Sequence, residues 1–343
     1  MALFQSDSNR IGLDIGTTGL RLVQVRGSDH KLVTYGSVPV ESKVVQSDAE
    51  VDRQQIVAAV KKLLGDSKVT SKTVVAGLPS AKVFSSLINL PKMSVGELEK
   101  SVRYQAEQHV PMALNQVKLD WMVVGETADG KQQEVLIVAA PISLAERYLS
   151  ILEGSGLEVA ALEPDAFALA RALVSANDVA AVALDVGASA TDLVTVHNSF
   201  PKLIRSIPVG GDTFVKAAAQ MLNLETEQAF QFVYKFGLAQ GKLEGQVHKA
   251  IKSSIDSLVS ELDKSIKFFV GRYKDVKINK VILTGKASLV PEFPAYLANS
   301  VNLPVEIGNS WAHIATPTDL QQQLMELSNQ FAVACGLAIR EAR

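Results

Sequence analysis

The chain has 343 residues, of which 47% are apolar, and its 34 basic and 36 acidic side chains give a formal charge of −2. This near balance of charge provides no broad basic surface for phosphate backbones, which argues against nucleic acid as a partner. The length suits two domains, the composition is not that of a disordered chain, and no apolar run approaches the roughly 20 residues of a membrane helix.

The first ten residues and the single cysteine indicate a reducing compartment. Residues 1–10 are polar and lack the apolar stretch of a secretory signal. Cys335 is the only cysteine in the sequence and has no second thiol with which to form an internal disulfide. We therefore expect a cytoplasmic protein without direct insertion into a membrane.

Apolar periodicity predicts alternating strands and helices through the first half of the chain. After an apolar segment at 11–25, the predicted elements are a helix at 51–64, a strand at 73–78, a helix at 97–109, strands at 117–124 and 135–140, a helix at 143–152 and a strand at 157–162. We expect the stretch 85–161 to form a small α/β subdomain inserted into the first lobe.

The second half begins with a long strand signal and continues with helices. The predicted elements are a sheet at 181–209, helices at 212–222, 226–236 and 247–273, a strand at 281–284 and a final helix at 320–339. Alternating strands and helices favour α/β lobes. We expect a first lobe (1A) at 1–84 plus 162–180, the insertion (1C-like) at 85–161, and a second lobe at 181–343 (2A, with a helical 2B at about 213–270).

One pattern occurs twice, half a chain apart. Residues 11–25 read IGLDIGTTGLRLVQV and residues 182–196 read VALDVGASATDLVTV, with Asp14 and Asp185 separated by 185 − 14 = 171 residues. Each copy is an apolar strand, an Asp-x-Gly turn and a second apolar strand, the pattern of a β-hairpin that opens a domain. The sequence therefore predicts two related domains.

The turn of each hairpin has the chemistry of a phosphate site. Glycine lets backbone N–H groups approach a phosphate, and threonine hydroxyls add hydrogen bonds. Asp14 and Asp185 can hold Mg²⁺ through water, because this ion gives up its hydration reluctantly. Arg21 supplies a permanent positive charge. Two such hairpins facing each other would hold the phosphates of one nucleotide between two lobes.

These motifs resemble the superfamily of actin, Hsp70 and the sugar kinases, which has a ribonuclease H-like, two-lobed α/β fold. Within it, the chain is most similar to the FtsA/PilM branch and to the PilM family of type IV pilus assembly proteins. The similarity lies in IGLDIGTTGLRLVQV (11–25), YQAEQHVPMALNQVKLDWMVVG (104–125), EPDAFALARAL (163–173), SIPVGGDTFVKAAA (206–219), ELDKSIKFF (261–269) and FAVACGLAIR (331–340). The segment at 104–125 is the most diagnostic, since it lies in the insertion that PilM and FtsA share.

The resemblance implies an actin-like fold, a site for ATP or ADP with Mg²⁺, and a short peptide as partner. The residues that it implies for nucleotide binding are Asp14, Gly16, Thr17, Thr18, Arg21, Asp185, Gly187, Ala188, Ser189, Thr191, Gly210, Gly211, Asp212, Gly285, Lys286 and Ser288, with Asp14 and Asp185 at the metal. The peptide would be the N-terminal cytoplasmic tail of the inner-membrane protein PilN. Recruitment to the inner face of the cytoplasmic membrane would then depend on partners: PilN, with other pilus inner-membrane or motor proteins as further candidates.

The chain departs from the family pattern in the predicted adenosine site. Lys286 and Ala287 stand where the family has a run of glycines, so Lys286 is expected to crowd the adenosine. The segment 229–233, AFQFV, replaces the family's Ala-Glu-Glu-x-Lys helix. Phe230 and Phe232 are either core residues, or one of them stacks on a base. We expect ATP to bind, and its hydrolysis to be very slow or absent.

Glu163 is a candidate catalytic residue, with Asp165 as a second, because both stand near the end of the strand that leaves the insertion, where a carboxylate can act as base or metal contact. The alternative is that Glu163 caps the helix that begins after Pro164. Two other functions stay open on the sequence alone. One is an FtsA-like, filament-forming ATPase of division or the cytoskeleton, and the other is a small-molecule kinase of the same superfamily. For the adaptor, we expect the strand at 117–124 and the helix at 97–109 to form the walls of the peptide groove.

Overall fold

The computed structural model describes residues 9–341, so most of the polar segment at 1–10 and the last two residues lie outside the described part. The first half forms β1 (Arg10–Gly16), β2 (Gly19–Arg26), β3 (Lys31–Pro39), α1 (Ser42–Gln46), α2 (Glu50–Asp66), β4 (Thr73–Leu78), β5 (Phe84–Pro91), α3 (Val95–His109), β6 (Val117–Glu126), β7 (Gln132–Pro141), α4 (Ile142–Gly154), β8 (Glu158–Pro164) and α5 (Asp165–Leu173).

The second half is built from the same kinds of element. It contains β9 (Ala180–Val186), β10 (Thr191–His197), β11 (Phe200–Ile207), α6 (Gly211–Leu222), α7 (Thr226–Phe236), α8 (Gln246–Arg272), β12 (Lys280–Thr284), α9 (Phe293–Val301), β13 (Val305–Ile307) and α10 (Gln321–Ala338). Among residues 9–341, none of the helices combines the length and the apolar character that crossing a membrane requires.

The two halves contain sheets of identical topology. The first sheet has the order β3-β2-β1-β4-β8 and the second the order β11-β10-β9-β12-β13. In each sheet, the central strand (β1 or β9) pairs antiparallel with the next strand of the chain (β2 or β10). On its other side it pairs in parallel with β4 or β12. The central strands are almost wholly buried, as expected where a sheet is covered on both faces. The repeated hairpin in the sequence thus corresponds to a repeated lobe.

A third sheet, of order β5-β7-β6, forms the insertion together with α3. Helix α3 begins with a capping box in which Ser94 and Glu97 satisfy each other's backbone N–H groups. The structure differs from the predicted boundaries of 85–161 at the C-terminal side. The apolar side of α4 packs in the core of the first lobe, and β8 pairs with β4 in the first sheet.

Two helices, α5 and α10, lie between the sheets and share a core with both. Their buried residues contact β2 of the first lobe and β9 and β10 of the second. A Cβ atom on Gly336 of α10 would overlap the carbonyl oxygen of Ala168 in α5, so the two helices cross at contact distance. Helix α10 also meets β1 so closely that Gly12 has no room for a side chain next to Ala334. The predicted second lobe at 181–343 therefore ends in a helix that both lobes share.

Candidate functional site

The two hairpin turns face one cavity of about 250 Å³ between the lobes. Thirteen of the sixteen residues that the sequence predicts for nucleotide binding line it: Asp14, Gly16, Thr17, Thr18, Arg21, Asp185, Gly187, Ala188, Ser189, Gly211, Asp212, Gly285 and Lys286. They come from both sheets, from the start of α6 and from the turn after β12. The topology therefore brings together residues that are more than 170 positions apart in the chain.

The first hairpin presents a carboxylate and a guanidinium side by side. Asp14 and Arg21 are cross-strand partners on β1 and β2, and Arg21 Nη1 lies 3.4 Å from Asp14 Oδ2. The turn between the strands has only two residues, Thr17 and Thr18. A Cβ on Gly16 would come within 2.8 Å of Arg21 Nη1, so glycine leaves room for the guanidinium beside the turn. Two threonines thus form the tip of the turn, and a pair of opposite charges lies at its base.

The second hairpin presents two carboxylates instead. Asp185 on β9 is paired with Asp192 on β10, at the register position that Asp14 and Arg21 occupy in the first hairpin. The backbone N–H groups of Gly211 and Asp212, at the start of α6, donate to the carbonyls of Gly187 and Ala188, both at 2.9 Å. These bonds fix the loop of the hairpin against the helix, and they occupy two N–H groups that a helix start would otherwise offer to an anion.

Five aspartates line the cavity: Asp14, Asp165, Asp185, Asp192 and Asp212. Its described lining contains two basic side chains, Arg21 and Lys286. Burial raises the pKa of Asp185 to about 7, with a further contribution from the negative charges of Asp192 and Asp14. Burial, followed by the charge of Asp14, raises the pKa of Asp165 well above its usual range. The pKa of Asp14 is also raised by burial, against the opposing effect of Arg21. Such an arrangement favours either protons or a cation.

The residues fit a hydrated divalent cation better than a directly coordinated one. Within residues 9–341, no three His, Cys, Asp or Glu side chains lie close enough together to hold a metal ion between them. The Oδ1 atoms of Asp165 and Asp192 are buried and have no hydrogen-bond partner in the described structure. Mg²⁺ usually keeps several of its waters and interacts with carboxylates and substrate phosphates. Asp14 and Asp185 both line the cavity, and carboxylates in such a position can interact with a hydrated Mg²⁺.

The third predicted element is the turn at Gly285, which follows β12. Gly285 has a φ of +84°, and a Cβ there would clash with Asp185 Oδ1 and with the carbonyl of Val186. Only glycine suits this backbone and this approach. Ser288 Oγ donates to Gly285 O at 2.6 Å and closes the turn. The turn therefore lies directly beside the second hairpin.

Three predicted residues support the cavity wall without lining it. Thr191 is buried and donates its hydroxyl to Val209 O at 2.6 Å. Gly210 precedes α6, and a side chain there would clash with the carbonyl of Ala188. Ser288 is occupied by the hydrogen bond to the Gly285 turn. The structure gives these residues a role in holding the backbone of the site.

Glu163 does not line the cavity, so its position does not support the predicted catalytic role. Its carboxylate accepts hydrogen bonds from Arg171 Nη1 and Nη2 at 2.7 and 3.0 Å and from Arg340 Nε at 3.0 Å. Arg171 also donates to Gly336 O at 2.7 Å, so the group ties β8 and α5 to the end of α10. Asp165, the second candidate, lines the cavity at the start of α5.

Further lining residues are not among those that the sequence predicts for nucleotide binding: Ser80, Asp192, Ser206, Tyr234, Asn329 and Gln330. Phe230, for which the sequence leaves a core position or base stacking open, also lines the cavity. The repeat could have identified Asp192 as a site residue, because Asp192 aligns with Arg21 of the first copy (21 + 171 = 192). Ser80 follows the predicted strand β4, and the ends of parallel strands share one sheet edge. Asn329 has no such signal, since only the crossing of α10 between the lobes brings it to the cavity.

The family model described as type IV pilus assembly protein PilM matches residues 12–342. The chain belongs to the PilM family. It is also similar to the solved structure titled "PilM-PilN type IV pilus biogenesis complex", with a TM-score of 0.83, 27% identity, and coverage of 97% of this chain and 98% of that one. The predicted membership in the family is thereby confirmed.

More distant structures share the fold. The ethanolamine utilization protein EutJ from Carboxydothermus hydrogenoformans matches with a TM-score of 0.57 and 14% identity, over 96% of this chain and 88% of that one. MreB5 of Spiroplasma citri bound to AMPPNP matches with a TM-score of 0.53 and 13% identity, over 95% and 94% of the two chains. These matches confirm the predicted actin-like α/β fold.

Proposed function

We propose that this protein is a nucleotide-binding adaptor of the type IV pilus assembly machine that binds the N-terminal cytoplasmic tail of PilN. The observation that carries the proposal is the PilM family match across residues 12–342, joined to near-complete mutual coverage with the PilM of a PilM–PilN complex. The adaptor acts at the inner face of the cytoplasmic membrane, to which PilN recruits it. Family membership favours this function over a filament-forming ATPase or a small-molecule kinase.

The nucleotide part of the proposal is supported by the cavity between the lobes. ATP or ADP would be held by the turns at Thr17 and Gly187, with Mg²⁺ bound through water at Asp14 and Asp185. The similarity to MreB5 structures that contain AMPPNP or ADP is in agreement with a nucleotide at this place. Because both lobes contribute residues, a bound nucleotide stabilises one relative position of the lobes. Asp165 lines the cavity and Glu163 does not, so we propose Asp165 as the carboxylate that orients a water. We expect very slow turnover or none.

The peptide part is supported by the insertion. Strand β6 is an edge strand of the β5-β7-β6 sheet, and an extended peptide can add to such an edge. The exposed large apolar side chains of the insertion include Tyr104 on α3, at 62%, and Val123 on β6, at 41%. We propose that they supply apolar contacts to the tail of PilN, while the edge of β6 supplies backbone hydrogen bonds.

Calorimetric titration with a synthetic peptide of the N-terminal tail of the cognate PilN tests the adaptor function. We expect micromolar binding by the wild type and none to a scrambled peptide. Replacing both Tyr104→Ala and Val123→Ala is expected to weaken binding by about tenfold or more, because apolar anchors dominate small interfaces. Val51→Ala is the matched control, since Val51 is an equally exposed apolar residue on α2, outside the insertion. Absence of binding by the wild type at high micromolar peptide would overturn the adaptor proposal.

A further inference from the structure

The insertion belongs to the first lobe through the chain but also contacts the second lobe. At one end β5 follows β4, and at the other α4 leads into β8, so both ends of the insertion continue into the first sheet. Strand β11 of the second sheet nevertheless lies against the insertion. Lys202 Nζ on β11 donates to Glu134 Oε2 on β7 and to Val124 O on β6, both at 2.7 Å. The insertion therefore connects the two lobes.

The side chains of this contact are buried and form one network. The side chains of Lys202 and Glu134 are each 3% exposed. The hydroxyl of Tyr273, at the end of α8, donates to Glu134 Oε1 at 2.6 Å. Arg272 Nη1 donates to Leu87 O on β5 at 3.3 Å. Each of the three strands of the insertion thus accepts a hydrogen bond from the second lobe.

The backbone of β6 is shaped around the ammonium of Lys202. The pairing of β6 with β7 shifts register between Val123 and Gly125, and the residue between them, Val124, is the one whose carbonyl accepts from Lys202. Gly125 has a φ of +153°, and a Cβ there would lie 2.8 Å from Lys202 Nζ. A bulge interrupts the ladder and redirects a backbone group, here toward the second lobe. The contact is therefore built into the strand and does not depend on side chains alone.

The walls of the cavity between the lobes lead directly to this contact. On the second-lobe side, Ser206 lines the cavity and lies on β11 four residues from Lys202, about 13 Å along an extended strand. On the first-lobe side, Ser80 and Ala81 line the cavity, and β5 of the insertion begins at Phe84. A widening of the cavity that moves Ser206 away from Ser80 therefore also pulls Lys202 away from the insertion.

We propose that Lys202, Glu134 and Tyr273 form a clasp that holds the cleft between the lobes closed and sets the rate at which a bound nucleotide leaves. Opening the cleft breaks a buried ion pair, and a buried charge that loses its partner is strongly unfavourable. The clasp slows release without touching the nucleotide, because none of its three side chains lines the cavity. The inference rests on the proposed nucleotide site and adds how release from that site is regulated.

Stopped-flow measurement of the release of a fluorescent ATP analogue, labelled on the ribose and bound with Mg²⁺, tests the clasp on the full chain. We expect Glu134→Gln to raise the dissociation rate constant at least about tenfold, since the ammonium of Lys202 then has no counter-charge. Glu261→Gln is the matched control. Glu261 accepts from Arg205, also on β11, at 2.9 Å, but both partners lie in the second lobe. Its rate constant is expected to stay within about twofold of the wild type.

Tyr273→Phe provides a milder variant in case Glu134→Gln does not fold. It keeps the aromatic ring and removes only the hydroxyl that donates to Glu134. We expect it to raise the dissociation rate constant about threefold to fivefold, as the loss of one hydrogen bond to a buried carboxylate predicts.

The distance between the lobes gives a second readout that needs no nucleotide. Spin labels on Lys61→Cys in α2 and Lys249→Cys in α8 lie on exposed positions of the two lobes, and Cys335 is buried. We expect Glu134→Gln to broaden the distance distribution and Glu261→Gln to leave it unchanged. An unbroadened distribution, or release rates that both clasp variants leave at the wild-type value, would overturn the clasp while the nucleotide site stands. Failure of the wild type to bind the analogue would overturn the nucleotide site, and the distance measurement then decides on the clasp by itself.

Discussion

At the scale of single residues, the charge of the two hairpins sets the properties of the cavity. Arg21 and Asp192 occupy equivalent positions of the repeat, so one hairpin pairs an acid with a base and the other pairs two acids. Like charges directly opposite each other on neighbouring strands are destabilising. The second hairpin is therefore the one whose stability depends on a proton or a bound cation.

Asp185→Asn is expected to stabilise the ligand-free protein at alkaline pH. The pKa of Asp185 is raised from 3.8 to about 7, so the native state binds the proton more tightly than the unfolded chain. The protonated side chain of Asp185 therefore makes its full contribution to the free energy of unfolding below about pH 4. This contribution is lost as the pH rises to about 7. Ionisation costs at most about 4 kcal/mol, and about 1–2 kcal/mol after allowance for partial exposure to solvent.

Thermal unfolding without Mg²⁺ at pH 5 and pH 8 measures this effect. The increase in Tm caused by Asp185→Asn is expected to be larger at pH 8 than at pH 5. Asp319→Asn, on the exposed surface, should change Tm equally at both pH values. The affinity for ATP with Mg²⁺ is expected to fall about tenfold, because a ligand of the metal's water shell is lost. An identical change in stability at both pH values would contradict the raised pKa of Asp185.

The sequence identifies the residues of the site that belong to a motif and misses those that only the fold brings in. Asp14, Asp185 and Gly285 are predictable because a turn geometry or a repeat requires them. Asn329 comes from a helix whose sequence looks like ordinary core. Glu163 is the opposite case, a predicted site residue that does not line the cavity. Arg171 and Arg340, from distant segments, donate hydrogen bonds to its carboxylate. Contacts between segments that are far apart in the chain cannot be predicted from a local sequence motif.

At the scale of elements, strands and helices with strong local signals were predicted within one or two residues. The predicted strand at 73–78 and the helices at 212–222 and 226–236 correspond to β4, α6 and α7. Strands β3 and β5 were missed, because each is an edge strand with few fully buried residues. The apolar side of α4 is visible in the sequence, but periodicity does not say which sheet it covers.

The crossing of α5 and α10 gives a test at this scale. Gly336→Ala places a methyl group on the carbonyl of Ala168, and neither backbone can move without separating two buried helices. We expect a loss of about 1–3 kcal/mol in the free energy of unfolding, the usual range for overpacking at a tight contact. Gly271→Ala in α8 is the matched control, since it has open space around its Cβ and should gain up to about 1 kcal/mol. Urea unfolding distinguishes the two, and equal stability of both variants would contradict the tight crossing.

At the scale of the whole molecule, the insertion is fastened to the second lobe by a buried ion pair. Lys202 Nζ on β11 donates to Glu134 Oε2 on β7 and to Val124 O on β6, both at 2.7 Å. Tyr273, at the end of α8, donates its hydroxyl to the other oxygen of Glu134 at 2.6 Å. Ser206 on strand β11 also lines the cavity between the lobes. One strand therefore contacts both the proposed peptide-binding insertion and the cavity.

Glu134→Gln is expected to destabilise the protein by about 3–5 kcal/mol, because it leaves the ammonium of Lys202 buried without its counter-charge. Glu126→Gln is the matched control: its ion pair with Lys92 has the same N–O distance of 2.7 Å, but both side chains are more than half exposed. Such a surface pair contributes at most about 1 kcal/mol. Hydrogen exchange should show faster exchange in β6 and β11 for Glu134→Gln alone. Equal effects of the two variants would mean that the buried pair does not hold the insertion on the second lobe, and the insertion would then be free to move independently of the cavity.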